Sequence, residues 1–449
     1  MLIAFAFAVM ADPVSSVAYA VEAALRALNG DLALLVPTMS LVVVIIALVI
    51  VNYRQLIDRY PHGGGASAAV GEAFGDGWSF IPVGALVVDF VLTIAISVSA
   101  GASAVIAYFP SIAPYRILLA LVLVLVVGGL TWFGHAGRLL FAVLTIAFIV
   151  VAVLVLVFGL TATPHPTGTI TDTAGHAVPL AVVLAFPVAM ALATGVEAPS
   201  SAIAQLGELN DAGRRRFGKI TLWLTLAIVG TITMGLAIEA VHLRIGVPPA
   251  ESTQIAELAR VAAPAPVFAA FQLVTALLLL SAASSSFQAG PGLLKALARH
   301  RVASGEMVGV LPTALGRTNR HHTPYWGVLV FLVLAAVVTV AAGGSDQELV
   351  LFYAVSVFLS FLAGLSAMAV FSWRSRQPGY LVLNLIGALV VAFTLVVNLS
   401  RGTPLVSLAA ALLVALGLYL VWRRNGRPPG IRNVSAEAEA EPEPASEPG

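Results

Sequence analysis

Three carboxylates lie deep inside strongly apolar stretches of this 449-residue chain, namely Asp12, Asp89 and Glu197. A carboxylate near the centre of a membrane-spanning helix opposes insertion by about 2.5–3.5 kcal/mol, so three of them oppose it by roughly 8–10 kcal/mol. No Lys or Arg lies deep in these stretches to neutralise the acids. We therefore expect protons, a bound cation or both to compensate the charge.

Hydroxyl groups accompany these acids at positions that share a helix face. Asp89, Thr93 and Ser97 recur at every fourth residue, which places a carboxylate and two hydroxyls in one row. Hard cations prefer such oxygen ligands, although serine and threonine hydroxyls in helices also bond to backbone carbonyls. Two tyrosines can add phenolic oxygens or cation–π faces, or serve only in packing. The candidate ion or substrate ligands are Asp12, Tyr19, Asp89, Thr93, Ser97, Thr194, Glu197 and Tyr353.

Two further acids, Glu22 and Glu239, lie in apolar surroundings near the predicted outer ends of their spans. Two interpretations stay open for them: water-exposed helix ends, or members of a proton pathway. The chain has no cysteine, and its eight histidines fall in loops or at span edges, so we expect no transition-metal site.

Enzyme motifs are absent from the sequence. There is no phosphate-binding Gly-Lys-Ser/Thr loop, no His-Glu-x-x-His zinc helix and no Gly-x-Ser-x-Gly elbow. The sequence therefore favours a protein that is not an enzyme and needs no cofactor.

The elements that must position these side chains are membrane spans. With 59% hydrophobic and only 10% charged residues, the chain has too few charges to cover soluble domains. Continuous apolar runs long enough for a hydrocarbon core of about 30 Å predict helices, whereas a β-barrel would show short alternating segments. The twelve predicted spans are 2–28, 32–52, 78–108, 115–134, 138–162, 179–206, 220–243, 264–287, 324–342, 348–373, 379–399 and 403–422.

The distribution of charge predicts the topology. Under this count, 18 of the 23 Lys and Arg residues fall on one side of the membrane, which predicts that both termini are cytoplasmic in a multi-pass protein of the cytoplasmic membrane. Residues 1–423 form the predicted membrane domain. Residues 424–449 are rich in Pro, Glu and Ala and predict a disordered acidic cytoplasmic tail.

The first and sixth spans contain similar interruptions. Each has a carboxylate, a proline and then two serines, within residues 10–19 and 194–202. Proline removes a backbone donor, and small polar residues can leave the freed carbonyls to a ligand, so both helices are expected to be unwound. The two breaks lie five spans apart, which predicts an inverted-repeat transporter with repeats at about 2–162 and 179–373, followed by two extra helices at 379–422.

Four segments resemble the amino acid–polyamine–organocation superfamily and, within it, the KUP-type, KimA-like potassium importers. The segments are Asp12-Pro13-Val14-Ser15-Ser16-Val17-Ala18-Tyr19 with Glu22, Tyr60-Pro61-His62-Gly63-Gly64-Gly65, Val88-Asp89-Phe90-Val91-Leu92-Thr93, and Thr194-Gly195-Val196-Glu197-Ala198. The resemblance implies a LeuT-like fold that couples potassium entry to proton entry. The ion positions of that group fall on the eight candidate ligands named above.

The sequence thus predicts proton-coupled potassium import by alternating access, with the lipid bilayer and a small cation as partners and no nucleic acid. A proton-coupled amino acid or polyamine permease of the same superfamily is the alternative, and a membrane-embedded sensor is a third. Asp12 and Pro13 in the first break disfavour a substrate carboxylate there, whereas a polycation would be tolerated. Monomer and homodimer both remain open.

Overall fold

The computed structural model of the chain describes residues 2–134, 137–171, 178–301 and 307–439. In these residues the regular structure is almost entirely helical. The α-helices are α1 (Leu2–Val9), α2 (Ala11–Ser15), α3 (Val17–Ala27), α4 (Leu35–Arg59), α5 (Gly65–Phe74), α6 (Phe80–Tyr108), α7 (Arg116–Trp132), α8 (Arg138–Gly159), α9 (Val178–Ala189), α10 (Ala198–Ala202), α11 (Asp211–Leu243), α12 (Gln254–Ala262), α13 (Ala265–Ala298), α14 (Tyr325–Ala341), α15 (Asp346–Arg374), α16 (Pro378–Leu399), α17 (Leu405–Arg424) and α18 (Val434–Glu439).

Shorter elements connect these helices. Two-residue strands β1 (His300–Arg301) and β2 (Met307–Val308) pair antiparallel. The 3-10 helices are Leu32–Leu34, Asp76–Ser79, Pro110–Tyr115, Met190–Ala193, Ile203–Gln205, Thr313–Gly316 and Ile431–Asn433.

Ten helical segments of the described chain are long and apolar enough to cross a membrane. They correspond to ten of the twelve predicted spans. The other two differ: the stretch 2–28 is divided into α1, α2 and α3, and the stretch 324–342 forms α14, which has only 17 residues. The segments are Leu32–Arg59, Asp76–Tyr108, Pro110–Trp132, Leu139–Gly159, Val178–Gln205, Asp211–Leu243, Ala265–Ala298, Asp346–Arg374, Pro378–Leu399 and Leu405–Arg424.

The two predicted breaks differ from each other in form. In the sixth span the chain is unwound: Thr194 has an extended backbone (ψ 139°) and Gly195 has φ +71°, before α10 begins. In the first span Met10 and Ser16 interrupt the helix but keep right-handed helical angles, so the expected unwinding is wrong there. Pro13 is tolerated because it lies in the first turn of α2, where backbone N–H groups have no intrahelical partner.

Helix α6 lies at the centre of the packing and contacts α13, α15 and α17. Its contact with α17 is very close: a Cβ added to Gly84 would lie 2.6 Å from the carbonyl oxygen of Ala411 and 2.9 Å from the Cβ of Ala415. Small residues at a crossing let two backbones approach in a bilayer, where close packing replaces the hydrophobic effect. Helix α17 is therefore fixed to the helix that carries Asp89.

A buried amide network joins α4, α15 and α16. Asn384 accepts hydrogen bonds from Asn52 (3.2 Å) and Gln55 (3.1 Å), and its own amide group donates to Gln55 and Ser372. Asn384 is fully buried, yet both ends of its amide are partnered. A satisfied polar network of this kind fixes the register between helices in an apolar medium.

The segment after α17 differs from the predicted disordered tail. Ile431 and Val434 are 1% and 0% exposed, and they pack into a cluster with apolar residues of α6, α13 and α17. Two apolar side chains in the right register are enough to dock a short segment that is otherwise polar. The predicted tail thus does not begin at residue 424, and its last part, 440–449, lies outside the described residues.

Candidate functional site

The two interrupted spans touch each other at Asp12 and Gly195. A Cβ added to Gly195 would lie 2.8 Å from both Cγ and Oδ2 of Asp12 and 2.9 Å from Cδ of Pro13. Glycine is required here for two reasons, its positive φ and the carboxylate against its Cα. A hydroxyl reinforces the junction, because Ser16 Oγ lies 3.2 Å from the carbonyl oxygen of Leu192.

A second part of the site lies between α6 and α15. Ser356 Oγ donates to Asp89 Oδ1 at 3.2 Å, and Thr93 Oγ1 lies 2.8 Å from the hydroxyl of Tyr353. Asp89 and Thr93 are one turn apart on α6, and Tyr353 and Ser356 are one turn apart on α15. The two helix faces therefore present a carboxylate and three hydroxyls to each other, and all four side chains are buried.

Tyr19 connects these parts. Its hydroxyl forms a hydrogen bond with the side chain of Thr194 beside the unwound segment. The same hydroxyl is close enough to Asp12 and Asp89 to interact with their charges. Thr194 Oγ1 in turn donates to the carbonyl oxygen of Ala191 at 2.7 Å. Tyr19 is 2% exposed, so its phenolic oxygen lies inside the protein.

Glu197 follows the unwound segment and begins the second half of the sixth span. Its Oε2 is buried and has no hydrogen-bond partner in the described part of the chain. Tyr53 of α4 lies within range of the charges of Glu197 and Asp89, and its hydroxyl bonds to Ser360. An unpartnered carboxylate oxygen in such a place is available to a proton or a cation.

The electrostatics of the site are unbalanced. Asp89 interacts with the charges of both Glu197 and Asp12. No described Lys or Arg forms an ion pair with any of the three acids. Three acids whose charges interact in a low dielectric cannot all be ionised without a counter-ion. The arrangement can hold a cation among oxygens, and it can exchange that cation for protons.

The structure thus brings seven of the eight predicted ligands together, all except Ser97. Ser97 is buried on the same face of α6, about two turns beyond Asp89, but in the described residues no hydrogen bond joins it to the others. Sequence reasoning missed Tyr53, Ser356 and Ser360. The spacing of Tyr353, Ser356 and Ser360 along one helix face was a signal for two of them.

Glu22 lies apart from this cluster and is fully engaged. It is 3% exposed and accepts hydrogen bonds from Arg26 Nε (2.8 Å) and from the backbone N–H of Gln254 (2.9 Å) at the start of α12. An anion at a helix N-terminus is stabilised by the free N–H groups there. The interpretation of Glu22 as a water-exposed end is therefore wrong.

Glu239 is buried against a neighbouring helix. It is 6% exposed, and its Oε1 would lie 1.3 Å from a Cβ added to Gly159, so the carboxylate rests directly on α8. Oε1 has no hydrogen-bond partner in the described part of the chain. Exposure to water is excluded for Glu239 as well, and a part in proton movement stays a prediction.

Comparison with known proteins agrees with this architecture. The amino acid permease family matches residues 2–421, which is most of the chain. The chain is also 31% identical over 401 residues to the potassium transporter KimA of Bacillus subtilis (strain 168). That alignment covers 84% of this chain and 63% of KimA, so the chain spans less than two thirds of that relative. The matched region contains the ten helical segments that are long and apolar enough to cross a membrane, apart from the very end of the last one. The resemblance inferred from the sequence is confirmed, and the chain belongs to the amino acid permease family of membrane transporters.

Proposed function

We propose that this chain imports potassium together with protons by alternating access. The observation that carries the proposal is the group of Asp12, Asp89 and Glu197, three acids from three spans whose charges interact and which have no basic partner among the described residues. A group of acids of this kind disfavours an anionic substrate group and favours a cation. The relative named as a potassium transporter supports potassium as that cation.

The ligand types support a weakly hydrated, hard cation. Hydroxyls of Tyr19, Thr93, Tyr353 and Ser356 surround the acids, and each supplies a neutral oxygen. Oxygen-rich sites of mixed charge suit alkali and alkaline-earth ions, whereas the site lacks the nitrogen and sulfur ligands of transition metals. In our proposal, Asp12 and Asp89 contribute the charged ligands and Glu197 exchanges a proton with the cargo.

The order of elements supports an inverted repeat of five plus five spans. An interrupted span is followed by a long helix, a short helix and a further long helix in both halves: α4, α5 and α6 follow the first break, and α11, α12 and α13 follow the sixth. The short helix α5 follows the second span and α12 follows the seventh, and these two spans run in opposite directions, as an inverted repeat requires. We propose twelve spans on this basis, with α1–α3 and α14 as the two that length alone does not identify.

Orientation follows from the charge bias and belongs to the same proposal. The excess of Lys and Arg on one side favours cytoplasmic termini and a location in the cytoplasmic membrane. Helix α5 then lies on the cytoplasmic side, and α12 lies on the outer side over the end of α3.

Purified protein in liposomes tests the function. We expect rubidium, a potassium substitute, to accumulate faster when an inward proton gradient is imposed, and we expect the interior to acidify as rubidium enters. Asp12→Asn should lower this uptake strongly, whereas Asp58→Asn, which removes one acid from a surface pair with Lys219, should not.

Two results would contradict the proposal. Uptake of labelled polyamine or amino acid in place of rubidium would favour the permease alternative of the same family. Rubidium uptake that does not respond to the proton gradient would reject the coupling while leaving the cargo intact.

A further inference from the structure

A short segment near the end of the described chain joins two parts of the fold. Residues 431–436, here named the clasp, turn back from α17 onto the end of the molecule where α4 ends and α6 begins. The chain leading into the clasp is held by a hydrogen bond from Trp422 Nε1 to the carbonyl oxygen of Pro428 at 2.9 Å. The chain then turns at Gly430, which has φ +98°. The positive φ at Gly430 provides the sharp reversal that a residue with a side chain would resist.

One face of the clasp is apolar and docks on α6 and α13. Ile431 and Val434 belong to a buried cluster with Phe80 at the start of α6 and with Leu293 and Leu297 near the end of α13. Helix α6 carries Asp89, and α13 packs along it. The clasp is thus anchored both to the helix that carries Asp89 and to the helix packed along it.

The other face of the clasp contacts the second half of the sixth span. A Cβ added to Gly63 would lie 2.9 Å from Cβ of Ala204 and 3.3 Å from Cβ of Ala436. Residues 63–65, here named the glycine loop, therefore lie between the sixth span and the clasp. Helix α18 also contacts α10 directly. Because α10 begins one residue after Glu197, the clasp reaches the half-helix that leads away from the site.

Polar contacts complete the docking. Ser435 Oγ lies 2.8 Å from Ser67 Oγ on α5, and Arg432 forms an ion pair with Asp76 just before α6. Both members of the ion pair are partly exposed, so salt screens their attraction. The polar part of the contact is therefore weak, and the docking depends mainly on the two buried apolar side chains, Ile431 and Val434.

We propose that the clasp is an intramolecular lock on the end of the transporter where α10 leads out of the site. Alternating access needs the interrupted helices to move against the helices that face them. The docked clasp spans these two groups, because it contacts α10 on one side and α6 with α13 on the other. Opening at this end then requires the clasp to leave. This inference rests on the proposed transport function, but not on the identity of the cargo.

A disulfide between the clasp and α5 tests the proposal directly. The chain has no cysteine of its own, so Ser67→Cys with Ser435→Cys introduces a single pair. The hydroxyl oxygens are 2.8 Å apart, which is close enough for two sulfur atoms to bond after a small adjustment. We expect oxidation to lower rubidium uptake by about tenfold or more, because the disulfide prevents the clasp from leaving and so prevents the open state from being populated. Reduction of the disulfide should restore uptake.

The controls separate locking from damage. The two single-cysteine variants should not respond to oxidant. Full uptake by the oxidised double variant, with the disulfide proved by gel shift, would overturn the proposal, since the clasp would then be a permanent part of the fold.

A milder variant tests release. Arg432→Gln removes the ion pair with Asp76 and should raise the initial rate of uptake, most clearly at low salt. Arg424→Gln removes a nearby charge from the end of α17, outside the clasp, and should leave the rate unchanged. An unchanged rate in Arg432→Gln together with an insensitive disulfide variant would reject the lock.

A labelling measurement distinguishes failure of the lock from failure of the transport proposal. Ser201→Cys places a thiol on α10, where the side chain is half-buried beside the glycine loop. Its reaction with a water-soluble maleimide should accelerate when Val434→Asp expels the clasp. Acceleration without any rubidium uptake would support the lock and reject the cargo, whereas equal labelling rates would reject the lock whatever the cargo is.

Discussion

Replacing Gly195 by alanine tests the contact between the two interrupted spans. The added Cβ would lie 2.8 Å from Cγ and Oδ2 of Asp12, whereas ordinary contacts begin at 3.4 Å. The carboxylate must therefore withdraw by at least about 0.6 Å, unless the backbone moves instead. Displacements approaching 1 Å in a site that depends on position cost up to about a hundredfold in rate. We expect Gly195→Ala to reduce rubidium uptake by about tenfold to a hundredfold.

Backbone strain alone must be separated from this effect. Alanine at the positive φ of Gly195 costs about 1–2 kcal/mol. Gly343 provides a matched control, because its φ is +63° and a Cβ there would have nothing within 4 Å. Gly343→Ala should therefore lose similar stability but keep its uptake.

The assay compares initial rates of rubidium uptake in liposomes at equal amounts of folded protein, over a range of rubidium concentrations. A raised half-saturating concentration in Gly195→Ala would locate the damage in binding. Uptake by Gly195→Ala within about twofold of Gly343→Ala would refute the reasoning, since the position of Asp12 would then not matter.

Three further predictions follow from other contacts. Asp89→Asn should abolish rubidium uptake without loss of protein from the membrane. Ser356→Ala, which removes the 3.2 Å hydrogen bond to Asp89 and the 3.0 Å bond to the carbonyl oxygen of Tyr353 but keeps the carboxylate, should weaken binding and keep transport. Asn384→Leu should lower stability by about 1–3 kcal/mol in thermal unfolding, because it leaves buried amides without partners, while uptake per folded molecule is retained. The hydrogen bond from Arg59 holds the pKa of the Glu72 carboxyl below its ordinary value of 4.5. Its stabilisation is therefore present above pH 4.5 and lost as the pH falls through the lowered pKa, so Glu72→Gln should flatten the acid side of the stability profile.

The acids of the site could be predicted because they break a strong rule. Inserting an ionised side chain into a membrane costs so much free energy that Asp12, Asp89 and Glu197 can be identified as functional candidates from the sequence alone. Tyr53 could not be predicted in this way. The predicted span 32–52 ends one residue before Tyr53, which lies between Asn52 and Arg54 in the sequence. Helix α4 instead continues to Arg59, since the amide network of Asn384 satisfies the polar side chains of that turn.

Contacts between distant residues account for the other differences. The sequence leaves Glu22 either at a water-exposed helix end or in a proton pathway, and only the fold reveals that the backbone N–H of Gln254, 232 residues later, donates a hydrogen bond to its carboxylate. The tail was judged by its average composition, which conceals the two apolar residues, Ile431 and Val434, that dock it. The first break was expected to unwind because proline disrupts a helix interior, but α2 starts anew two residues before Pro13.

The close crossing at Gly84 has a consequence for the boundaries of a minimal transporter. Helix α17 contributes no side chain to the site, yet it supports the backbone of α6 little more than one turn before Asp89. Trimming the chain before α16 would leave that surface of α6 to lipid, whose disordered tails cannot reproduce a crossing so close that a Cβ on Gly84 would lie 2.6 Å from the carbonyl oxygen of Ala411. Helix α17 therefore supports the position of Asp89 from outside the site, and a shortened protein would retain every ligand while losing the rigid packing that fixes one of them.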